Sequence, residues 1–285
     1  MEPQELINKI CYLIFDIESV SDPALISLVR TAGEKEPQVA LTEYQNELVE
    51  KKGSDFVPYV YQQPISLALA KVNGDLSLQD LTVLKVEDGG PRKICERFWC
   101  GWEFYGKPQF VTFNGRKFDI PLMELTAFRY GIPLPDWFDD SVPNYKQPRN
   151  RYCKTFHLDL NDELTNCGAT AFEGGLNLAS KMLRKPGKID VRGDMVQQMF
   201  EEGRLDEIHR YCRCDVLDTY FVFLRYSVLK GRISFKREEE LINEARTFLE
   251  ERSDDEPVYR EYLDAWNKVD EFQSRHNIFS KYADA

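Results

Sequence analysis

The sequence predicts a mixed α/β sheet covered by helices, on three observations. Two apolar runs, "ISLALAKV" (65–72) and "LTVLKV" (81–86), flank "NGD" at 73–75, a hairpin turn signal. Further short apolar runs then alternate with stretches of helical period. Beyond residue 160 the chain reads as helical almost to its end. A hairpin followed by strands alternating with helices gives a mixed sheet with helices on its faces.

The elements follow in order. The first strand covers about 11–17, within "CYLIFDIESV". A polar stretch at 21–63 shows weak helical periodicity, and the hairpin strands come next. "PRKICERFWCGWEFY" (91–105) patterns as an amphipathic helix. "QFVTF" (109–113) is a short strand, and a helix follows from about 118 to 130. "YCKTFHLDL" (152–160) suggests a fifth strand. The later helices are broken at "EGGLN", "KPGK" and "EEGR". After Lys230, "KREEELINEAR" and "DEPVYREYLDAWNKV" read as an appended helical hairpin, mostly charged. There is no internal repeat, low-complexity segment or clear linker.

At 285 residues the chain is long enough for one large core or two small ones. With 42% hydrophobic and 30% charged residues it is a folded protein rather than a disordered one. No apolar run approaches the length of a membrane span, and "MEPQELINKI" lacks a signal-peptide core, so the expected location is cytoplasmic. Seven scattered cysteines fit reduced thiols better than a disulfide framework. A net charge of −11 argues against a protein that coats nucleic acid nonspecifically. It does not exclude a nucleic-acid enzyme, because bound divalent cations reverse the local sign. Basic residues concentrate in "NGRKFD", "KQPRNRYCK" (146–154) and "RKPGKIDVR" (184–192), each of which reads first as a solvated loop or face.

The first strand runs straight into two carboxylates, Asp16 and Glu18. Residues two apart in a strand share a face, so the two acids sit side by side. Solvation at a strand end and a shared cation explain the pair equally well. The rest of the chain must supply more acid if a cation is to be held. In "VTFNGRKFDIPLM" Asp119 falls at a helix start, where capping alone would account for it. The same place, at the end of a strand, is where open α/β sheets put ligands. In "HRYCRCDVLDTYFVFLRY" Tyr211 and Asp215 lie four apart on one helix face, with Asp218 a further turn along. That helix is rich in Val, Leu, Phe and Tyr, so it packs on the core and its acid is not obviously solvated.

"FDIES", "NGRKFD" and "YCRCD" together resemble the three motifs of the DEDD 3′–5′ exonucleases, in the variant with a tyrosine four residues before the last aspartate. "DFVPYVYQQPISLAL", "HLDL" and the stretch from "LNLASKML" through "YCRCDVLDTYFVFLR" extend the resemblance to the stand-alone bacterial exonucleases related to the polymerase B proofreading domain. It covers roughly residues 10–230, and the order, spacing and context of the motifs carry it. One departure is Tyr61-Gln62-Gln63, where a histidine often precedes the second strand; no metal ligand is affected. The resemblance implies a ribonuclease H-like sheet and an exonuclease domain over 1–230, with 21–63 as an insertion and 231–285 as a C-terminal helical extension.

It also implies a two-metal hydrolysis of phosphodiester bonds with Mg²⁺ or Mn²⁺. Asp16 would bridge both ions, Glu18 and Asp215 would hold the one that activates water, and Asp119 would hold the second, largely through water. Tyr211 would orient the attacking water. Asn114, Arg116, Lys117 and Phe118, beside Asp119, could meet the terminal nucleotide, although a turn residue, two solvated cations and a core ring explain them as well. Ile17, between the two acids, faces the opposite side of the strand and completes the candidate substrate-binding set. The implied substrate is the 3′ end of single-stranded nucleic acid, with DNA favoured and 5′-mononucleotides released. RNA 3′-end trimming is the alternative, as is an inactive relative that only binds nucleic acid.

Six further residues are set aside. His209 lies six residues before Asp215, off its face, and reads as an ordinary polar residue. Cys212 and Cys214 point to opposite sides of one helix, which argues against a structural zinc site. Asp159 and Asp162 fit strand-end solvation or helix capping more simply than ligation. Asp218 could strengthen the local field or substitute as a ligand.

Overall fold

The structure, a computed structural model, describes residues 9–188 and 193–276. The last part of the basic stretch "RKPGKIDVR" and the first eight residues lie outside the described residues. In chain order the strands are β1 (Ile10–Ser21), β2 (Gln62–Asn73), β3 (Leu78–Lys85), β4 (Gln109–Thr112) and β5 (His157–Asp159). The helices are α1 (Pro23–Thr31), α2 (Pro37–Lys52), α3 (Gly90–Phe104), α4 (Asp119–Tyr130), α5 (Leu160–Leu164), α6 (Gly175–Met182), α7 (Val196–Glu201), α8 (Leu205–Leu229), α9 (Phe235–Arg252) and α10 (Pro257–Arg275).

The five strands form one sheet in the order β3-β2-β1-β4-β5. β1, β2 and β3 pair antiparallel, while β4 and β5 run parallel to β1. This is the mixed, helix-covered sheet expected of a ribonuclease H-like exonuclease domain. The turn at "NGD" joins β2 to β3, and β3 begins a few residues earlier than its apolar run. β1 is longer than the apolar run at its start, because its pairing with β2 continues through Ser21. A bulge interrupts that ladder between Glu18 and Ser19.

Alternation along β1 divides the core. Leu13, Phe15 and Ile17 face the layer built by α3 and α4, where Phe98, Trp99, Trp102 and Trp137 pack around Phe110. Ile14 faces the other layer, made by α8 and the C-terminal helices. Residues two apart share a face, so Asp16 and Glu18 lie on the α8 side. α9 and α10 add Leu241, Ala245, Leu249, Tyr262 and Trp266 to the same cluster as Phe221 and Phe223 of α8. They are therefore part of the main core, although most of their other positions are charged. The 21–63 segment forms α1 and α2, each opened by a proline, with a small core of its own around Ile26, Leu41, Tyr44 and Leu48.

Candidate functional site

Three chain segments converge where the parallel strands end. β1 delivers Asp16 and Glu18 opposite Ala68 and Ser66 of β2. β4 stops at Thr112, and Asn114 turns the chain in the left-handed region at φ 69°. The next residue must be glycine, since a Cβ on Gly115 would lie 2.6 Å from the Thr112 side chain. α4 then opens at Asp119. α8 crosses the sheet and presents Tyr211 and Asp215.

The turn before Asp119 is held by a residue that sequence reasoning left as a cap. Asp159, at the end of β5, does cap α5 through Asn161 N–H (3.0 Å) and Asp162 N–H (3.4 Å). Its oxygens also accept from the backbone N–H of Asn114 (2.8 Å) and of Arg116 (2.9 Å). One buried carboxylate thus fixes the whole 114–116 turn, and with it the start of α4.

Glu18, Asp119 and Asp215 are buried and Asp16 is half-buried. Burial raises all four carboxyls, and the neighbouring site acids raise Asp16 and Glu18 further. Asp16 is pushed well above the usual carboxylate range, first by burial and then by Asp119, Glu18 and Asp215. Glu18 is likewise raised, by burial and then by Asp215 and Asp119, and it hydrogen-bonds Asp16. Burial moves Asp119 up to about 7, although it accepts from its own N–H and from that of Ile17. Asp215 rises to about 6, again by burial, and the Tyr211 hydroxyl donates to it. Burial and the neighbouring acids raise Tyr211 above its ordinary value, so it stays a protonated donor. Four acids that repel one another in a buried site require either protons or cations.

The donor set suits hard divalent ions, which take carboxylate and water oxygens. Asp16, Glu18 and Cys212 offer donor atoms within 4.8 Å of one another. Cys212 does not fit as a ligand. Burial raises its thiol well above the ordinary value, and its Sγ donates to the Asp16 carbonyl (3.3 Å) while accepting from Ala68 N–H. It anchors α8 to β1 beneath the acids.

The other candidates divide. Ile17 is in the core and reaches the site through its backbone N–H alone. The Arg116 guanidinium is taken up by Asp162 (2.8 Å) and the His157 carbonyl (3.2 Å). Asn114 is exposed, as is Lys117, which has no ion pair among the described residues. Phe118 is half-buried, with its ring 5.8 Å from that of Phe56. His209 is buried, unlike an ordinary polar residue, and bonds Ser66 Oγ (2.9 Å) and Glu87 (3.1 Å). Asp218 is also buried and accepts from the Tyr262 hydroxyl.

Two residues were missed by sequence reasoning. Lys188 is the cation that lowers the carboxyls of Asp16, Glu18 and Asp215, and its ammonium stands 5.9 Å from the Tyr211 ring centre. Its only sequence signal was the basic run "RKPGK". Phe56 follows α2 and shares with Ser19 and Lys188 the lining of a groove of about 520 Å³ beside Glu18. No helix among the described residues is long and apolar enough to cross a membrane.

A DNA polymerase of Archaeoglobus fulgidus is 23% identical over 186 residues, or 65% of this chain and 22% of the polymerase. The chain therefore spans less than a quarter of that relative's length. The family B DNA polymerase of the hyperthermophilic archaeon Pyrobaculum calidifontis superposes with a TM-score of 0.48 at 15% identity, over 76% of this chain and 24% of that one. The model of a family described as "predicted 3′-5′ exonuclease related to the exonuclease domain of PolB" matches residues 54–266. That span contains Asp119, Tyr211 and Asp215 and begins after Asp16 and Glu18. Since the match covers most of the chain, this protein belongs to the family of predicted 3′–5′ exonucleases related to the PolB exonuclease domain.

Proposed function

We propose that this protein is a 3′–5′ exonuclease that removes 5′-mononucleotides from single-stranded DNA with the help of two divalent cations, Mg²⁺ or Mn²⁺. The observation that carries the reading is the convergence of Asp16, Glu18, Asp119 and Asp215, all with raised carboxyl pKa values, around the Tyr211 hydroxyl. These four acids would hold the ions, which supply Lewis-acid activation of water and stabilisation of the departing oxygen. The chain's own residues do the remainder. Asp16 and Glu18, raised by burial in the metal-free state, would hold the ions as carboxylates. Tyr211, protonated at neutral pH, hydrogen-bonds the attacking water and orients it; it is too weak an acid to serve as the base. Lys188 faces the acids from the groove side and meets the negative charge of the scissile phosphate. The terminal nucleoside occupies the groove bordered by Ser19, Phe56 and Lys188. The domain unit is residues 1–230 with the C-terminal helices as its buttress. All seven cysteines are free, which suits a cytoplasmic location. The relative's identity as a DNA polymerase supports DNA over RNA.

The test is a time course on a 5′-labelled single strand with Mn²⁺, Mg²⁺ or EDTA, beside a matched RNA. The strand should shorten as a ladder from its 3′ end only with metal. A circular strand, or one ending in a 3′-phosphate, should resist. Cutting of the circle that disappears with Asp16→Asn would establish an endonuclease and overturn the reading. So would a wild-type protein that leaves every strand intact.

A further inference from the structure

The basic segment at 143–154 is left unused by the site just described. It contains Lys146, Arg149, Arg151 and Lys154 and no acid, in a chain whose net charge is −11. Two of these cations fix the segment in place. Arg149 forms a two-point contact with Glu124 of α4, both at 3.0 Å, and Glu124 also accepts from the Trp137 indole. Lys154 pairs with Glu163. The other two face outward. Lys146 and Arg151 have no ion pair among the described residues, and each lies over an exposed tyrosine, Lys146 at 5.9 Å from the Tyr145 ring centre and Arg151 at 5.0 Å from that of Tyr152. Tyr145 is 70% exposed and Tyr152 76% exposed.

Between this segment and the first turn of α4 runs a groove of about 460 Å³, lined by Arg116, Ile120, Pro121, Arg151 and Tyr152. Ile120 and Pro121 directly follow Asp119. The groove thus flanks the first turn of α4, which opens at Asp119. Outward cations interleaved with exposed aromatic rings are what a single strand needs, since the phosphates are neutralised and the unpaired bases find π-faces. A duplex would offer no bases to stack.

We propose that the 143–154 segment is the track for the single-stranded part of the substrate behind the scissile phosphate, with Tyr152 and Tyr145 as stacking platforms and Arg151 and Lys146 as phosphate contacts. This rests on the exonuclease reading and deepens it. It also predicts that affinity grows with strand length until the track is filled.

The experiment compares wild type with Tyr152→Ala, Tyr152→Phe and the pair Lys146→Ala/Arg151→Ala, all exposed positions whose folding is checked by circular dichroism. Binding of a fluorescein-labelled oligothymidylate is followed by anisotropy in EDTA, where nothing is cleaved. Tyr152→Ala should weaken binding roughly 5- to 100-fold, and Tyr152→Phe should restore it. The Lys146/Arg151 pair should flatten the dependence of log affinity on log salt by about 0.7 for each lost contact. Hydrolysis of the p-nitrophenyl ester of thymidine 5′-monophosphate, too short to reach the track, should be unchanged in all variants, while KM for the long strand rises in Tyr152→Ala and in the Lys146/Arg151 pair. Equal binding and equal salt slopes in all four proteins would mark the segment as a solvated loop and overturn the proposal. So would a fall in ester hydrolysis that matches the loss on the strand. If wild type binds in this tyrosine-dependent way but hydrolyses nothing, the track stands and the exonuclease reading fails.

Discussion

Tyr262 of α10 donates its hydroxyl to Asp218 of α8 at 2.7 Å, and both residues are fully buried. Asp218 lies one turn beyond Asp215 on the same helix. The C-terminal helices are thereby tied, by a polar contact inside the core, to the helix that carries Tyr211 and Asp215 of the proposed site. Burial raises the Asp218 carboxyl to about 7, and the tyrosine opposes that rise.

Tyr262→Phe should destabilise the fold by about 1–3 kcal/mol, because it leaves a buried acceptor without its donor. It should also raise the Asp218 carboxyl further. A raised folded-state carboxyl favours the folded state at low pH and penalises it as pH climbs through the folded pKa. The loss should therefore be larger at pH 8 than at pH 6 in urea melts, and Asp218→Asn should restore most of it. A pH-independent loss would mean that the ring, not the hydrogen bond, is what matters. A chain cut after Lys230 should fail to yield soluble folded protein, since it uncovers the α8 face that Leu241, Leu249 and Trp266 bury.

Asp16→Asn should abolish turnover while leaving the fold intact. It removes one of four mutually repelling carboxylates, so the metal-free variant should melt no lower than wild type. Wild type should gain stability from Mn²⁺ by mass action, and the variant should gain much less. Differential scanning fluorimetry across a Mn²⁺ titration reads both effects. A variant with the full Mn²⁺ gain would place the ions elsewhere.

The metal-free protein should lose stability as pH rises from about 6.5 to 8. Asp119 sits at about 7 and Asp16 and Glu18 well above their ordinary values, so the folded state holds protons there that the unfolded chain has released. His157 acts in the opposite sense. It is buried against Thr112 and pushed down to about 3, so the unfolded state binds the extra proton, but only below the ordinary imidazole value of about 6.5. Above that pH the acids dominate until about 8, where Lys185, lowered by burial to that value, begins to act in the opposite sense. Saturating Mg²⁺ should remove most of the slope, because ions replace the protons of the four acids, and leave the part that Asp218 contributes. Urea midpoints in EDTA that rise with pH would contradict the raised carboxyls.

Tyr211→Phe should leave the fold and the Mn²⁺-dependent gain in stability in place. Single-turnover hydrolysis should slow by ~10²–10⁴-fold, the usual worth of a group that positions or transfers a proton. An unchanged rate would make the ring a packing residue only. Because the tyrosine's pKa is raised rather than lowered, the pH profile of wild type should show no ionisation attributable to it near neutrality.

Much of the site was legible because each acid sits where local pattern changes: an apolar strand ending at Phe15, an Asn-Gly turn after Phe113, an apolar helix around Asp215. Asp159 was legible only as a cap, since its contacts to Asn114 and Arg116 span 45 and 43 residues. His209 read as ordinary because its partners, Ser66 and Glu87, come from β2 and the turn after β3. The C-terminal helices read as mostly charged because their buried stripe is thin. Leu241, Ala245 and Leu249 recur every four residues, between the wholly charged runs 236–240 and 250–252. Lys188 was hidden most completely, in a loop whose course toward the acids no local periodicity encodes.

That lysine supports the last prediction. Its charge is felt by Asp16, Glu18 and Asp215, and its Nζ lies against the Tyr211 ring. Two roles are separable. If Lys188 merely offsets carboxylate repulsion in the metal-free protein, Lys188→Gln should lower stability in EDTA, and divalent ions should restore both stability and rate. If it meets the phosphate, the defect persists with metal bound, because the charge developing on the phosphoryl oxygens has lost a partner. The groove beside Glu18, which Lys188 lines together with Ser19 and Phe56, favours the second role. Lys188→Gln should then lower kcat by roughly 10²-fold, the scale seen when one preorganised donor to a developing oxyanion is removed. The Mn²⁺ concentration for half-maximal rate should stay level or fall, since one positive charge has left the cations' neighbourhood. Lys188→Arg should recover part of the rate. Full activity of Lys188→Gln at saturating Mn²⁺ would confine the lysine to the metal-free state.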